Sequence, residues 1–458
     1  MHATGVRGAV ARRLPAWSWG ALACILLLSA WVQWTTVRET RFFNAGGPDA
    51  ASYVSYAYNL KASGIYSRAH TWDGSNAGKP VPDAVSPPGY PLFLVPFLRG
   101  GPDYAFMQRV ISAQAALGVL TTLLAFLLAF RAAGPRIACV VGLLTAITPH
   151  LATITTSVLT ESLFTCLLLA SAYAFACALQ DGRWFRWAAA GLIFGACCLV
   201  RPTLQLLPFL ALALTALLPR GRPYLRRASV AAACCFLLLL PWLAYKHSLP
   251  ARADQPNLLR ATLYHGSFPG LMYADDPRTF GFGYRFDPHA AEIMASNAGL
   301  AKWVGGRMRA QPLRYLQWYL VGKPIFFLSW DNSAAGAGDI FIDQVADSPF
   351  FHRPSFRLMR SLMHALHWPL VLLGVAGAVL ALRRRSFFGA RADIGTLRLL
   401  SWLTLAAIVF HMVGAPYPRY GIPFWPVLYV LGTVTVAAAM QLARGRNGPL
   451  RLGTANAN

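Results

Sequence analysis

The stretch Val110–Phe130, Val-Ile-Ser-Ala-Gln-Ala-Ala-Leu-Gly-Val-Leu-Thr-Thr-Leu-Leu-Ala-Phe-Leu-Leu-Ala-Phe, contains no charged side chain. An α-helix rises about 1.5 Å per residue, so a helix of this length crosses the hydrocarbon core of a bilayer. Similar runs recur in a chain of 458 residues that is 56% hydrophobic and only 13% charged. These runs are continuously apolar rather than alternating, which indicates helices and not barrel strands. The sequence therefore predicts an all-α polytopic membrane protein.

The apolar runs predict about ten transmembrane helices, within a range of nine to thirteen, in a single membrane domain over residues 1–458. Two long external loops, 37–107 and 246–367, are expected to carry short interfacial helices, and residues 443–458 form a cytoplasmic tail. The predicted helices are Trp17–Trp34, Val110–Phe130, Ile137–Leu151, Leu163–Leu179, Trp187–Val200, Leu204–Leu218, Val230–Tyr245, Trp368–Leu382, Leu399–Val413 and Ile422–Leu442.

The charged residues indicate the orientation of these helices. Loops on one side are rich in arginine and hold only two acids, Asp181 and Asp393. The positive-inside rule assigns those loops, and both termini, to the cytoplasm. The formal net charge is +24, but lipid-length apolar runs separate the basic residues. Because no continuous basic face results, we expect no nucleic-acid partner; the bilayer itself is the expected partner.

One aromatic segment, Leu313–Trp330, is difficult to place as a span because Arg314, Lys323 and Pro324 interrupt it. We expect an interfacial or re-entrant helix there. The eight cysteines all lie inside apolar runs, which predicts packing rather than disulfides or metal binding.

A carboxylate follows the first span, in the stretch Asn44–Asn59 that contains Gly46-Gly47-Pro48-Asp49. The two glycines and the proline favour a sharp turn before a helix, and Asp49 then lies at the helix N-terminus, where the dipole favours a negative charge. Asp49 is therefore either a plain helix cap or a catalytic carboxylate.

Arg201-Pro202 interrupts the 32-residue apolar stretch Trp187–Leu218. Two full spans need about 40 residues, so the turn between them is expected to lie below the outer membrane surface. A cation at that depth needs an anion or a polar cavity. Arg201 is therefore a candidate phosphate ligand; the alternatives are snorkelling or pairing with an external acid.

Four further residues are candidates for substrate binding. Glu161 begins the fourth span, where it either caps the helix with Thr160, serves the function or pairs with Arg201. Arg419 and Tyr420 lie in Pro418-Arg-Tyr-Gly-Ile-Pro at the outer end of the last span, where an ordinary interfacial belt is an equal alternative. Tyr90 follows Pro87-Pro-Gly, which fixes a rigid entry to the membrane surface but is more often a structural turn.

No motif for nucleotide hydrolysis, protease chemistry or a metal site is present in the sequence. His364 and His367 share a helix face but have no neighbouring acid in sequence to complete a metal site. We therefore expect no required cofactor, although the sequence leaves a divalent metal possible.

The order of the motifs resembles the bacterial membrane glycosyltransferases of the GT-C fold. This group includes glycosyltransferase family 39, with the protein O-mannosyltransferases, and the aminoarabinose transferases. The resemblance is recognisable over Trp17–Leu218, and elsewhere rests on hydropathy and the Arg419 motif. The motifs are Asp49-Ala-Ala-Ser-Tyr, Gly64-Ile-Tyr, Pro87-Pro-Gly-Tyr-Pro-Leu-Phe, Leu159-Thr-Glu-Ser-Leu-Phe and Leu199-Val-Arg-Pro.

This resemblance implies a polyprenyl-phosphate sugar donor, a lipid, glycan or protein acceptor, and a location in the bacterial inner membrane with the active site outside. Asp49 matches the family's catalytic aspartate, but Ala50 stands where many relatives have a second acid. A desolvated carboxylate with a raised pKa would deprotonate the acceptor, and Arg201 and Arg419 would stabilise the leaving phosphate during inversion. The alternatives are a transporter or flippase for lipid-linked sugars and a non-catalytic partner in envelope glycan assembly.

Overall fold

Long apolar helices form most of the protein, as seen in a computed structural model that describes residues 14–42, 48–71, 80–217, 224–250, 257–271, 277–279, 282–331, 345–389 and 392–446. The helices are α1 (Ala16–Glu39), α2 (Pro48–Ser63), α3 (Gly89–Leu94), α4 (Tyr104–Ala133), α5 (Pro135–Ala146), α6 (Pro149–Thr153), α7 (Glu161–Asp181), α8 (Trp184–Val200), α9 (Leu207–Leu217), α10 (Leu225–Ser248), α11 (Leu258–Gly266), α12 (Ala290–Ala295), α13 (Asn297–Ala310), α14 (Pro312–Gln317), α15 (Lys323–Phe327), α16 (Pro349–His352), α17 (Pro354–Arg383), α18 (Ile394–Val413) and α19 (Trp425–Arg446).

The all-α class is confirmed, and the protein is a multi-pass membrane protein. Eight of the ten predicted apolar segments are helical over their described residues; Ile147 and Thr148 interrupt the segment 137–151, and a turn at residues 205 and 206 interrupts the segment 204–218. Within the described ranges, seven helices are long and apolar enough to cross a membrane, or eight if the bent pair Pro135–Ala146 and Pro149–Thr156 is one span. The prediction of about ten also counted two shorter apolar helices, α8 and the segment Pro202–Leu217.

Small residues bring the helices of the bundle into close contact. A Cβ atom added to Gly191 of α8 would lie 2.2 Å from the carbonyl oxygen of Ala231 in α10. One added to Gly377 of α17 would lie 2.2 Å from the hydroxyl oxygen of Thr435 in α19. Such approaches are typical of membrane helices, whose association depends on van der Waals contact rather than on the hydrophobic effect.

The most enclosed span is the last one, Pro418–Arg444, in which 78% of the apolar window is buried inside the protein. Trp425, at the start of α19, is fully buried and stacks on Trp330 with ring centroids 5.9 Å apart. The same ring meets His150 and His367, at centroid distances of 4.6 and 4.7 Å. This aromatic cluster fixes the end of α19 that carries the Arg419 turn.

The two long segments predicted to be external lie at one end of the bundle. The first carries α2 and α3, and the second carries α11 to α16. A short antiparallel pair joins them, in which β1 (Arg41–Phe42) is hydrogen-bonded to β2 (Val345–Asp347). The N-terminus of α7, the C-terminus of α8 and the turn before α19 meet at this same end, because their side chains form direct ion pairs there.

The segment Leu313–Trp330 folds as α14, a π-helical turn over Trp318–Gly322, and α15. Tyr315 and Trp318 are buried, whereas Leu313, Leu316, Leu320, Val321 and Ile325 are exposed. A short helical segment with one exposed apolar face suits the interfacial placement that the sequence predicts.

Candidate active site

Asp49 lies in the first turn of α2, where the sequence places it, although Gly46 and Gly47 lie outside the described residues. Its Oδ2 atom is 2.5 Å from Nη2 of Arg419. The Asp49 side chain is 50% exposed and that of Arg419 is 24% exposed. We call Asp49 and Arg419 the outer pair; one member of it is open to an approaching molecule.

Glu161 stands beneath the outer pair and contacts two arginines with one oxygen atom. Its Oε1 accepts a hydrogen bond from Nη1 of Arg201 at 3.1 Å and lies 3.7 Å from Nε of Arg419. Glu161 is 2% exposed and Arg201 is 13% exposed. We call Glu161 and Arg201 the inner pair. The two pairs form one charge-balanced cluster of two carboxylates and two guanidinium groups.

Arg201 owes its position to the end of α8. It is the C-cap residue with extended backbone dihedrals, and Pro202 prevents the helix from continuing. A Cβ added to Gly89 would lie 2.6 Å from the backbone of Leu199, so the Pro-Pro-Gly motif packs directly against this helix end. Arg201 is paired with an acid, Glu161, which is one of the alternatives that the sequence leaves open.

The Arg419 turn is held from two sides. Arg419 and Tyr420 belong to a single 3-10 turn, Pro418–Tyr420. The adjacent Gly421 packs against the backbone of Phe327, because an added Cβ atom would lie 1.9 Å from the carbonyl oxygen of Phe327. The Tyr420 ring lies under the guanidinium of Arg201, 4.2 Å from it to the ring centroid. Tyr420 thus orients Arg201 through a cation–π contact.

The pKa of Asp49 differs in direction from the sequence-based expectation. Burial alone would raise the pKa of this carboxyl, but the charge of Arg419 and the hydrogen bond from it act in the opposite direction, with smaller help from Arg201 and Arg285. The net effect holds the pKa of Asp49 below its usual value. The expected rise in the pKa of Asp49 is therefore wrong for this structure. The ion pair with Arg419 could not be predicted, because the two residues are distant in sequence.

The structure also corrects the interpretation of Tyr90. Its side chain is fully buried, and its hydroxyl donates to Oε1 of Gln114 at 2.7 Å. The ring packs edge-on against Tyr53 of α2, with centroids 5.2 Å apart. Tyr90 therefore supports α2 from below and has no surface for a substrate, because its hydroxyl is already bonded.

The predicted capping of α7 by Thr160 is not formed. No side-chain hydrogen bond caps this helix, and the Thr160 hydroxyl instead lies 3.3 Å from Oε2 of Glu161.

The structure brings together five of the six candidate residues: Asp49, Glu161, Arg201, Arg419 and Tyr420.

A cleft of about 400 Å³ opens on the exposed side of Asp49. Its walls include Ser52 and Ser55 of α2 and, from the following loop, Arg68, His70 and Ser86. Arg68 and His70 were not predicted as site residues. Arg285, whose charge helps to lower the pKa of Asp49, was not predicted either. No motif marks these residues, since each is a single polar side chain in a loop.

Over the described ranges, no three His, Cys, Asp or Glu side chains lie close enough together to hold a metal ion. The charged groups that surround Asp49 are arginines, which do not ligate metals.

Comparison with known proteins supports the resemblance inferred from the motifs. Residues 105–245 match the model of the family described as dolichyl-phosphate-mannose-protein mannosyltransferase. Over these residues the match agrees with the resemblance to GT-C membrane glycosyltransferases. No curated protein matches the chain.

Among solved structures, the chain is similar to the oligosaccharyltransferase AglB from Archaeoglobus fulgidus in complex with an inhibitory peptide and a dolichol-phosphate. The identity is 16%, the TM-score is 0.49, and the match covers 96% of this chain and 52% of that one. It is also similar to ArnT from Cupriavidus metallidurans bound to undecaprenyl phosphate, with 16% identity, a TM-score of 0.40 and coverage of 94% and 79%. The chain spans about half the length of the archaeal enzyme.

Proposed function

We propose that this protein is an inverting glycosyltransferase that moves a sugar from a polyprenyl-phosphate donor to an envelope acceptor, on the external face of the bacterial inner membrane. The observation that carries the proposal is the outer pair, in which a half-exposed carboxylate is bonded to an arginine that shares a buried glutamate with a second arginine. The family match supports a lipid phosphate as the carrier, because the description of that family names dolichyl-phosphate-mannose.

The proposed step forms one bond and breaks one. The acceptor hydroxyl loses its proton to Asp49 while its oxygen attacks the anomeric carbon from the face opposite the phosphate. The bond from that carbon to the phosphate oxygen breaks, and its electron pair leaves with the polyprenyl phosphate. The phosphate gains negative charge as it leaves, and the fixed guanidinium groups of Arg201 and Arg419 stabilise that charge without a metal ion.

The charge balance of the cluster links donor binding to catalysis. Arg419 lowers the pKa of Asp49 in this structure, so the carboxylate is ionised but weakly basic. A donor phosphate that binds Arg419 would compete with Asp49 for the same guanidinium. Because the counter-charge is then shared, the pKa of Asp49 rises, and the carboxylate becomes a better base when the donor is in place.

Binding of undecaprenyl phosphate to the purified full-length chain in detergent tests the proposal, with neutral undecaprenol as the reference ligand. We expect the phosphate to bind and undecaprenol to bind far more weakly. Arg419→Gln should weaken phosphate binding about tenfold or more, because a charge-assisted contact is lost. Arg314→Gln is the matched control, since Arg314 is exposed and its side chain donates to Oε1 of Gln311.

Transfer from a polyprenyl-phosphate sugar, measured in the same detergent, separates an enzyme from a flippase, because translocation has no meaning without a bilayer. The product should have the anomeric configuration opposite to that of the donor, and EDTA should leave the rate unchanged. Equal binding of the phosphate and the alcohol, together with absent transfer, would contradict the proposal.

A further inference from the structure

The cleft beside Asp49 is lined mainly by polar groups of the first external segment. The hydroxyl group of Ser52 comes from the same helix as Asp49, and Ser86 of the following loop also lines the cleft. On the other side of Asp49 stands Arg419, the proposed phosphate ligand. Asp49 therefore lies between two binding regions, one cationic and enclosed, the other open and rich in hydroxyl groups.

Arg68 in this cleft projects from a rigid backbone. The buried carboxylate of Asp83 accepts hydrogen bonds from the backbone N–H of Arg68 at 2.8 Å and of Val85 at 3.2 Å, and from the hydroxyl of Tyr56. Asp83 is 5% exposed, so the loop is fixed from inside while the Arg68 side chain remains exposed. Because the backbone is already fixed, a ligand that binds this guanidinium orders only the side chain of Arg68 and not the loop.

The charge of Arg68 is not compensated as the charges of Arg201 and Arg419 are. Both of those arginines form ion pairs with carboxylates. Through the part of the chain that the structure describes, no ion pair joins Arg68 to another side chain. The carboxylate of Asp49 is paired with Arg419, and the buried carboxylate of Asp83 is bonded to backbone N–H groups and to the Tyr56 hydroxyl, so the exposed guanidinium of Arg68 is, among the described lining residues, the cation that the cleft offers to an incoming molecule.

We infer that this cleft binds the acceptor and that Arg68 selects an acceptor bearing an anionic group, a phosphate or a carboxylate, close to the hydroxyl that receives the sugar. This inference rests on the proposed function, since it assigns the second substrate of the same site. The Ser52 and Ser86 hydroxyls suit the neighbouring hydroxyls of a saccharide, and the planar guanidinium of Arg68 suits an anion bound by two hydrogen bonds.

Equilibrium binding of three probes to the purified full-length chain tests the inference: glucose 6-phosphate, glucuronic acid and glucose. We expect at least one anionic sugar to bind about tenfold more tightly than glucose. Which of the two anions is preferred identifies the acidic group. Arg68→Gln should remove the preference, and Arg99→Gln should keep it, because Arg99 is an exposed arginine of the same segment outside the cleft.

Equal affinity for all three probes, or a preference that survives in Arg68→Gln, would overturn the inference. Undecaprenyl phosphate is titrated into the same variants as an independent readout. Unchanged phosphate-lipid binding in Arg68→Gln shows that the donor region is intact and that the lost preference belongs to the cleft. Failure of the proposed function would instead appear as loss of phosphate-lipid binding or transfer in the wild type, whatever the sugar preference.

Discussion

The inner and outer pairs contain the same two chemical groups, yet they differ in exposure and therefore in role. Glu161 and Arg201 are 2% and 13% exposed, whereas Asp49 and Arg419 are 50% and 24% exposed. A buried charge without a partner is strongly unfavourable, so the inner pair must persist for the fold to persist. The outer pair is partly solvated and can exchange its partners at modest cost. The buried inner pair therefore stabilises the site, whereas the more exposed outer pair is available to react.

Asp49→Asn should have the largest effect on activity, because it removes the proton acceptor while keeping the shape of the side chain. We expect transfer to fall about 100-fold or more, as is usual for the loss of a general base. The apparent unfolding temperature should change little, since the side chain is half exposed. Both are measured on the same detergent preparation. Asp49→Glu is the control that retains a carboxylate, and a fully active Asp49→Asn variant would show that the outer pair does not react.

Glu161→Gln should affect stability first. The variant leaves the buried guanidinium of Arg201 without its carboxylate, a change that costs about 3–5 kcal/mol in comparable buried pairs. The expected result is a lower thermal unfolding midpoint and a lower yield of folded protein. Glu292→Gln is the matched control, because Glu292 is 85% exposed and its ion pair with His289 lies on the surface. A midpoint as high as that of the wild type would mean that the inner pair is not a structural requirement.

His265, near the outer pair, should make a smaller contribution to stability, and this contribution should depend on pH. Its Nδ1 lies 3.2 Å from the hydroxyl of Tyr417, two residues before Arg419. Burial, helped by the charge of Arg285, lowers the pKa of His265 to about 4. The unfolded chain takes up a proton near the usual pKa of about 6.5, and the folded chain does so only near 4. Stability from this residue is complete above pH 6.5 and declines as the pH falls toward 4.

His265→Gln should therefore flatten the dependence of the unfolding midpoint on pH by about 2 °C between pH 6.5 and 5. The midpoints of wild type and variant are compared in the same detergent at both values. Parallel slopes in the two proteins would show that His265 does not carry the pH dependence. His289→Gln is the control, because this histidine is also in the second external segment but is exposed.

Much of the candidate site could be predicted from the sequence because local rules govern its parts. Arg201 lies at a helix end because Pro202 follows it, and Asp49 lies in a first helical turn. The error on Tyr90 has a physical reason: a rigid Pro-Pro-Gly turn fixes a backbone direction but does not say whether the next ring faces solvent or protein. The pKa of Asp49 could not be predicted, since its direction depends on a partner 370 residues away in sequence.

The sequence by itself determined the apolar helices, the breaks between them and the residue types available at their ends, because length, hydropathy and proline act over a few residues. Only the tertiary structure decided that Glu161 contacts two arginines, that Asp49 has a half-exposed position beside Arg419, and that the Arg68 side chain lies in a cleft without an ion pair to a described carboxylate. Electrostatic energies depend on distance and burial in space, and segments distant in the chain set both.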